Sequence, residues 1–266
     1  MNILFIGDIY SRPGRDGLKK AMPILMETYK PDMVIANGEN SAGGKGITEK
    51  IAREIYQCGV NVITGGNHSL HQQGSDDLHE EDDCLLRPEN FPPGTPGHGW
   101  TIFNSSAGHP VCVMNLCGRA FMSHFDDPFR CVDKMLKTVR DSAALIIVDF
   151  HAETTSEKVA MGWYLDGRVT AVLGTHTHIQ TADERILPHH TAYITDAGMT
   201  GSYDSVIGAD KQCVLDSMLT LRPRRFDAAK ANDVRVCGVL LTCDAITGKA
   251  LKITRICEKL GDLEGE

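Results

Sequence analysis

Short apolar runs, each about as long as a strand, recur along the first two-thirds of the chain. They cover residues 2–7, 33–37, 60–64, 145–150 and 169–173. Between the first two runs, residues 14–29 carry apolar side chains at helical spacing, and Pro31 ends the predicted helix. A second helix is predicted over residues 48–57, with Thr48 as its N-cap. Strands that alternate with helices across short connections predict an α/β fold in which helices cover a sheet.

The rest of the chain continues this pattern after a loop rich in Pro and Gly over residues 87–98. Further predicted elements are strands over 100–103, 111–116 and 192–195, helices over 129–140 and 156–164, a hairpin formed by 234–242 and 250–256, and a polar tail over 261–266. We expect a single domain over residues 1–266. The candidate site residues run from residue 8 to residue 178, and a site assembled over that span cannot be divided into independent halves.

Composition narrows the functional classes. Lys and Arg number 27 against 35 Asp and Glu, and this net charge of −8 argues against a broad nucleic-acid-binding surface. A small phosphorylated substrate is compatible with that charge, since a bound metal can outweigh it locally. Nine cysteines without a C-x-x-C predict reduced thiols in a cytoplasmic protein. The N-terminus is predicted to be a first strand rather than a signal peptide, and no run approaches the ~20 apolar residues of a membrane helix.

Residues that can bind metals or move protons follow the apolar runs. They are Asp8, Glu39 with Asn40, Asn67 with His68, His151, and His176 with His178. The last two are spaced i, i+2, so both imidazoles would point to the same side of an extended segment. Open α/β sheets place their sites at the carboxyl ends of strands, where the sheet holds the backbone rigidly. Oxygen and nitrogen donors without sulfur favour Mn, Fe or Zn.

Each residue alone also has an ordinary structural explanation. Asp8 could cap the first helix, His151 could be a core histidine bonded to a backbone carbonyl, and Asn67 could form a turn. Glu39 is harder to explain in this way, because an unpaired carboxylate at the end of an apolar run is costly. Five independent coincidences would be required, which favours one shared polynuclear metal site.

Three other segments are expected to have lesser roles. His71 and His79 lie in a polar helical stretch with many acidic residues, which is predicted to face water. Residues 43–46, Gly-Gly-Lys-Gly, lack the full phosphate-loop pattern but could form a flexible loop beside Glu39. His124 lies in a predicted loop and is not expected to contact substrate.

The polar blocks, in this order, resemble the motif set of the calcineurin-like metallophosphoesterases. The blocks are Gly7-Asp8, Gly38-Glu39-Asn40, Gly66-Asn67-His68, His151 and Gly174-Thr175-His176-Thr177-His178. The flanking sequence is closer still to the bacterial YmdB-like branch, through Phe5-Ile6-Gly7-Asp8, Asn37-Gly38-Glu39-Asn40, Asp149-Phe150-His151-Ala152-Glu153 and Thr195-Asp196-Ala197-Gly198-Met199-Thr200-Gly201. The resemblance extends from residue 1 to about residue 256. It implies an α/β fold built as a two-sheet β-sandwich flanked by helices.

The resemblance also implies a role for each residue. The first metal would be held by Asp8, Glu39, Asn40 and His178, and the second by Glu39, Asn67, His151 and His176, with Glu39 as the bridge. His68 would protonate the leaving oxygen or steady the transition state. Two positions depart from the wider superfamily, which usually has His where this chain has Tyr10 and Asp where it has Glu39. The first metal therefore loses an imidazole and is expected to bind less tightly.

The function expected from these observations is that of a binuclear metal-dependent phosphodiesterase. It would hydrolyse diesters such as 2′,3′-cyclic nucleotides by attack of a metal-bound hydroxide on phosphorus. The expected cofactors are two divalent or trivalent transition-metal ions, Fe or Mn first, with Zn as a further choice. Three alternatives stay open: a phosphomonoesterase on the same site, a non-catalytic metal-stabilised regulatory module, and a metal amidohydrolase. The sequence does not identify the natural substrate, and it is compatible with a homo-oligomer.

Overall fold

Two β-sheets packed against each other form the centre of the computed structural model, which describes residues 1–139 and 141–263. In chain order the strands are β1 (Asn2–Ile6), β2 (Asp8–Ile9), β3 (Met33–Asn37), β4 (Val62–Thr64), β5 (Trp100–Asn104), β6 (Pro110–Cys117), β7 (Leu145–His151), β8 (Ala171–Thr175), β9 (Arg185–Ile186), β10 (Ala192–Ile194), β11 (Met199–Ser202), β12 (Val234–Cys243) and β13 (Ala250–Gly261). The helices are α1 (Ser11–Tyr29), α2 (Glu49–Gln57), α3 (Ser75–Glu81), α4 (Pro128–Val139), α5 (Thr155–Leu165) and α6 (Lys211–Thr220).

Each sheet has a parallel centre and antiparallel neighbours. The first sheet has the order β2-β11-β12-β1-β3-β4, with β13 beside β12. In it, β1 pairs in parallel with β3 and antiparallel with β12. The second sheet has the order β5-β6-β7-β8-β10-β9, and its four inner strands are parallel. The two-sheet α/β architecture with flanking helices confirms the fold expected from the sequence.

Three apolar layers hold the sheets and helices together, and alternation along β1 shows how they form. Ile3 and Phe5 belong to the layer shared by the two sheets, whereas Leu4 and Ile6 pack in the layer beneath α1 and α2. A third layer lies between the second sheet and helices α4 and α5. Because β1 is buried on both faces, its sequence is a continuous apolar run rather than an alternating one.

Most predicted boundaries lie within a few residues of the observed ones. The prediction for β3 is the same as the structure, and Thr48 caps α2 by accepting a hydrogen bond from the Ile51 amide at 3.4 Å. Helix α1 starts three residues earlier than predicted, at Ser11. The C-terminal hairpin is confirmed as the antiparallel pair β12–β13. Two predicted ends, the helix end at Arg140 and the last tail residues 264–266, lie outside the described residues.

Other predictions were wrong or incomplete. His79 is not on a water-facing surface: it is 1% exposed, while its acidic neighbours Asp76, Asp77 and Glu80 face solvent. Helix α6 and the short strands β9 and β11 were not predicted. All nine cysteines are free thiols, of which Cys257 is exposed. Among the described residues, no helix is both long and apolar enough to cross a lipid bilayer.

Candidate metal centre

The predicted ligands converge at the carboxyl ends of parallel strands contributed by both sheets. Asp8 begins β2, and Glu39 and Asn40 follow β3. Asn67 and His68 follow β4, His151 ends β7, and His176 and His178 follow β8. Residues separated by as many as 168 positions in the chain are therefore in contact, as in the hydrogen bond from the His176 amide to Asp8 Oδ2.

The most compact group of donors surrounds His151 Nε2. Glu39 Oε2 lies 2.9 Å from this nitrogen, His176 Nδ1 lies 3.0 Å away, and Asn67 Oδ1 lies 3.2 Å away. The candidate ligand atoms of Glu39, His151 and His176 all lie within 4.8 Å of one another. Glu39, Asn67, His151 and His176 are the residues that the family resemblance assigns to the second metal.

A second group of donors lies on the other side of Glu39. His178 Nε2 is 3.2 Å from Asn40 Nδ2 and 3.9 Å from Asp8 Oδ1. His68 Nδ1 is 2.9 Å from Glu39 Oε1 and 3.1 Å from Asn40 Oδ1. The amide oxygen of Asn40 thus faces His68, and ligation on the His178 side requires this amide to be turned over.

Glu39 connects the two groups. Both of its oxygens are buried, and each has an imidazole nitrogen at 2.9 Å, with His68 Nδ1 beside Oε1 and His151 Nε2 beside Oε2. Asp8 Oδ1 is buried without a hydrogen-bond donor in the described part of the chain. A buried carboxylate oxygen that lacks a donor is costly, and a cation relieves that cost. The residues present therefore fit metal binding, because hard oxygen and imidazole nitrogen donors surround Glu39.

The protonation of the cluster without a cation follows from burial and charge. Burial opposes ionisation of Glu39, but the attraction of His151 and His68 outweighs it and holds the Glu39 pKa well below its usual range. Burial likewise opposes a charge on His151, but attraction to Glu39 raises its pKa to about 9. Burial and repulsion by His151 lower the pKa of His176 to about 3. One proton on His151 then compensates the carboxylates, and a bound cation would displace it.

Hydrogen bonds to Thr175 and to the Ile207 carbonyl orient the rings of His151 and His178. The Thr175 hydroxyl donates to Asp149 Oδ1 at 2.6 Å, so it accepts from His151 Nδ1 at 2.9 Å. His178 Nδ1 donates to the Ile207 carbonyl at 2.8 Å. In both rings Nδ1 carries the proton, and Nε2 is the nitrogen available to a metal.

The segment that carries His176 and His178 is not extended, so the predicted same-side geometry was wrong. Both residues have positive φ, 96° and 67°, and the two rings join different donor groups. The turn is held by Asp196 Oδ2, which accepts from the Thr177 amide at 3.1 Å and from Lys158 Nζ at 2.7 Å. Lys158 is 1% exposed, so this ion pair is buried.

Close packing around the cluster explains one glycine. A Cβ on Gly66 would lie 1.6 Å from Glu39 Oε2 and 2.4 Å from the His151 ring. A side chain here would have to displace the Glu39 carboxylate, so Gly66 preserves the space that Glu39 occupies.

Sequence reasoning gave no individual role to several residues of the site. Thr175, Asp149 and Asp196 orient ligands, and Glu153 Oε2 lies 3.0 Å from His176 Nε2. All four belong to sequence blocks that carry the family resemblance, which was the available signal. Lys158 lay in no such block.

A cleft of about 370 Å³ opens beside the cluster. It is lined by Tyr10, Glu39, Asn40, Gly44, Lys45, His68, Glu153, His176, Thr177, His178, Val206, Ile207, Ala209, Val214, Met218 and Phe226. A larger hollow of about 630 Å³ contains His124 and none of the predicted ligands, so we assign the chemistry to the smaller cleft. Tyr10 meets the His178 ring edge-on at 5.5 Å between centroids and cannot replace the missing imidazole as a donor of the same kind.

Comparisons with known proteins cover nearly the whole chain. A family model for YmdB-like proteins matches residues 4–256. The 2′,3′-cyclic-nucleotide 2′-phosphodiesterase of Bacillus subtilis (strain 168) is 48% identical over 256 residues, which cover 96% of each chain. A crystal structure of a novel phosphatase from Mycoplasma pneumoniae superposes with a TM-score of 0.92 at 33% identity, covering 98% of this chain and 94% of that one. A hypothetical protein from Thermus thermophilus superposes with a TM-score of 0.91 at 39% identity, covering 97% and 99%.

Proposed function

The chain belongs to the family of YmdB-like proteins, and from this premise we propose that it is a binuclear metal-dependent phosphodiesterase, a phosphoric ester hydrolase. The single observation that carries the proposal is Glu39, whose two buried oxygens face two separate groups of side chains that can bind metals. The B. subtilis relative is a 2′,3′-cyclic-nucleotide 2′-phosphodiesterase, which supports a cyclic nucleotide as the substrate. The proposal includes a single domain over residues 1–266.

The assignment of ligands follows the two donor groups. The first cation would be held by Asp8, Glu39, Asn40 and His178, and the second by Glu39, Asn67, His151 and His176. Fe or Mn suits these donors best. Bound there, such ions would polarise a phosphoryl oxygen and lower the pKa of a water.

The side chains of the protein have distinct tasks in hydrolysis. Glu39 and Asp8 are both buried, and their carboxylates would balance the positive charge of the cations. The His68 side chain is 23% exposed and lines the cleft, so it can reach a substrate oxygen. We propose that His68 donates a proton to the leaving ribose oxygen, because a protonated oxygen is a better leaving group.

The test combines metal content with turnover. Wild-type protein purified without added metal is submitted to elemental analysis, then assayed with Mn²⁺ or Fe²⁺ on a 2′,3′-cyclic nucleotide. We expect Glu39→Gln to lose metal and activity together. His68→Asn should keep its metal and lose ~10²- to 10⁴-fold in kcat, the usual share of a general acid. Glu49→Gln, at an exposed position of α2, is the matched control.

Two outcomes would contradict the proposal. Full activity in Glu39→Gln would exclude the bridging role, and stoichiometric metal without turnover of any phosphate ester would favour the regulatory module. The description of the M. pneumoniae neighbour as a phosphatase supports a phosphomonoesterase as the second candidate. A side-by-side assay of matched mono- and diesters separates the two.

A further inference from the structure

We propose that the cleft beside the metal centre binds a nucleobase on an apolar wall, and this inference rests on the proposed function. The apolar wall comprises Val206, Ile207, Ala209, Val214, Met218 and Phe226. It belongs to α6 and the segments on either side of that helix. Substrate phosphate at the metal ligands and base on the wall would occupy one continuous cleft.

The apolar wall contacts His178, one of the proposed metal ligands. The Ile207 carbonyl accepts the hydrogen bond from His178 Nδ1, so the wall and the His178 ring are in direct contact. The cleft volume of about 370 Å³ lies within the range of small-molecule sites. A ligand anchored by its phosphate at the cluster would therefore have the apolar wall beside it in the same cleft.

The chemistry of the wall favours a flat aromatic occupant. Ile207, Met218 and Phe226 are 49%, 66% and 48% exposed, so apolar surface faces solvent beside a polar cluster. Val214 is 3% exposed and anchors α6 beneath them. Stacking of a base on an aromatic side chain contributes ~1–3 kcal/mol and tolerates any base, because every base has a π face. We therefore expect weak discrimination among bases.

The same helix provides a natural control. Leu219 and Leu221 are 82% and 89% exposed but do not line the cleft. If α6 served only as an apolar contact with a second copy of the chain, all of these positions would respond alike. If it binds a base, Phe226 and Met218 respond and Leu219 does not.

The binding test separates this inference from the proposed activity. Metal-loaded protein is titrated calorimetrically with adenosine 3′-phosphate and with glycerol 2-phosphate, which lacks a base. Phe226→Ala should weaken binding of adenosine 3′-phosphate about 5- to 150-fold, which is the stacking contribution converted to affinity, and leave binding of glycerol 2-phosphate unchanged. Phe226→Trp should restore binding, and Leu219→Ala should bind as wild type does.

The turnover test uses adenosine 2′,3′-cyclic phosphate and glycerol 1,2-cyclic phosphate, which share the reacting ring. Phe226→Ala should raise KM for the nucleotide alone. Equal effects on both ligands, or none on either, overturn the inference, and Met218→Ala repeats the test at an exposed position if Phe226→Ala does not fold. A wild-type protein that binds the nucleotide through Phe226 but hydrolyses neither compound would overturn the proposed function while leaving the base site supported.

A separate observation concerns two cysteines in the C-terminal hairpin, and we infer that Cys237 and Cys257 form a cross-strand disulfide when the protein meets a peroxide. The two residues are direct partners in the β12–β13 register, and their Sγ atoms are 3.5 Å apart. A disulfide requires about 2.0 Å between the sulfurs, which small side-chain rotations can supply.

The chemistry can start at the exposed member of the pair. The thiol of Cys237 donates a hydrogen bond to the sulfur of Cys257. This bond, together with the positive charges of Arg235 and Lys259, outweighs burial and lowers the pKa of Cys257 to about 6. The Cys257 thiolate attacks one peroxide oxygen, the O–O bond breaks, and hydroxide leaves. Cys237 sulfur then displaces the second oxygen as water, so two thiols are oxidised and one peroxide is reduced to two waters.

Intact mass and peptide mapping after peroxide treatment test this inference. We expect loss of two hydrogen atoms, a Cys237–Cys257 cross-linked peptide, and recovery on reduction. Cys257→Ser should abolish the cross-link, whereas Cys213→Ser, at a partly buried thiol without a cysteine partner at this distance among the described residues, should not. Oxidation of Cys257 to sulfinic acid with Cys237 still free would overturn it.

Discussion

Replacement of Thr175 by valine isolates the hydrogen bond that orients His151. The Thr175 side chain is fully buried, and its hydroxyl lies between His151 Nδ1 at 2.9 Å and Asp149 Oδ1 at 2.6 Å. Valine keeps the shape of the side chain and removes both bonds. Every proposed metal ligand is left in place.

The expected magnitudes follow from what each partner retains. Asp149 keeps the hydrogen bonds that Asn37 and Thr64 donate to its Oδ2, whereas Asp149 Oδ1 and His151 Nδ1 both lose Thr175 as a partner. A buried polar group without a partner costs ~1–3 kcal/mol, and two are left here, so the free energy of unfolding of the metal-free chain should fall by about 2–6 kcal/mol. Loss of an orienting partner typically weakens a metal site ~10- to 100-fold, or about 1.4–2.7 kcal/mol.

The assay pairs an equilibrium Mn²⁺ titration with urea unfolding of the metal-free chain. Thr138→Val is the control, because Thr138 is exposed on α4 and its hydroxyl bonds to a backbone carbonyl of its own helix. A Thr175→Val protein with reduced stability but wild-type Mn²⁺ affinity would refute the reasoning. It would show that the hydroxyl supports packing and does not orient the ligand.

Three further predictions test other parts of the structure. Gly66→Ala should abolish metal uptake in elemental analysis, since its Cβ would lie 1.6 Å from Glu39 Oε2; full occupancy would contradict the geometry. Lys158→Met should lower the free energy of unfolding in urea by ~3–5 kcal/mol, because it leaves Asp196 buried and unpaired; a change below about 1 kcal/mol would count against it. Burial lowers the pKa of His79 from 6.5, so the unfolded chain binds more protons at this residue and the stability of the wild type should decline as pH falls below about 6.5. In urea titrations across this pH range His79→Gln should show a shallower decline of the free energy of unfolding, and equal slopes would refute this.

Local sequence predicted the central strands well because their environment demands it. The runs of β3 and β7 are entirely buried, and only a continuous apolar segment can occupy such a position. The same reasoning could not find α6. Only Val214 of that helix is buried, so its apolar residues do not form the one-sided stripe that marks a helix. Asp210, which caps α6 by accepting from the Cys213 amide, was the local signal available.

The donor types were readable from the chain for a similar reason. A carboxylate or imidazole at the end of a buried strand is costly without a partner, so Asp8, Glu39 and His151 stood out against their apolar neighbours. The order of the blocks then indicated the family, which the comparison over residues 4–256 establishes.

Which donors meet, and through which atoms, depends on contacts between residues far apart in sequence. Asn67 and His151 are 84 positions apart. The buried Asp149 and Thr175 select the nitrogen of His151 that faces the cluster, and the Ile207 carbonyl does the same for His178. The i, i+2 spacing of His176 and His178 predicted one side, yet positive φ angles held by Asp196 send the rings to different groups. Spacing describes only the local backbone, whereas ring orientation and donor pairing arise from packing one sheet against the other.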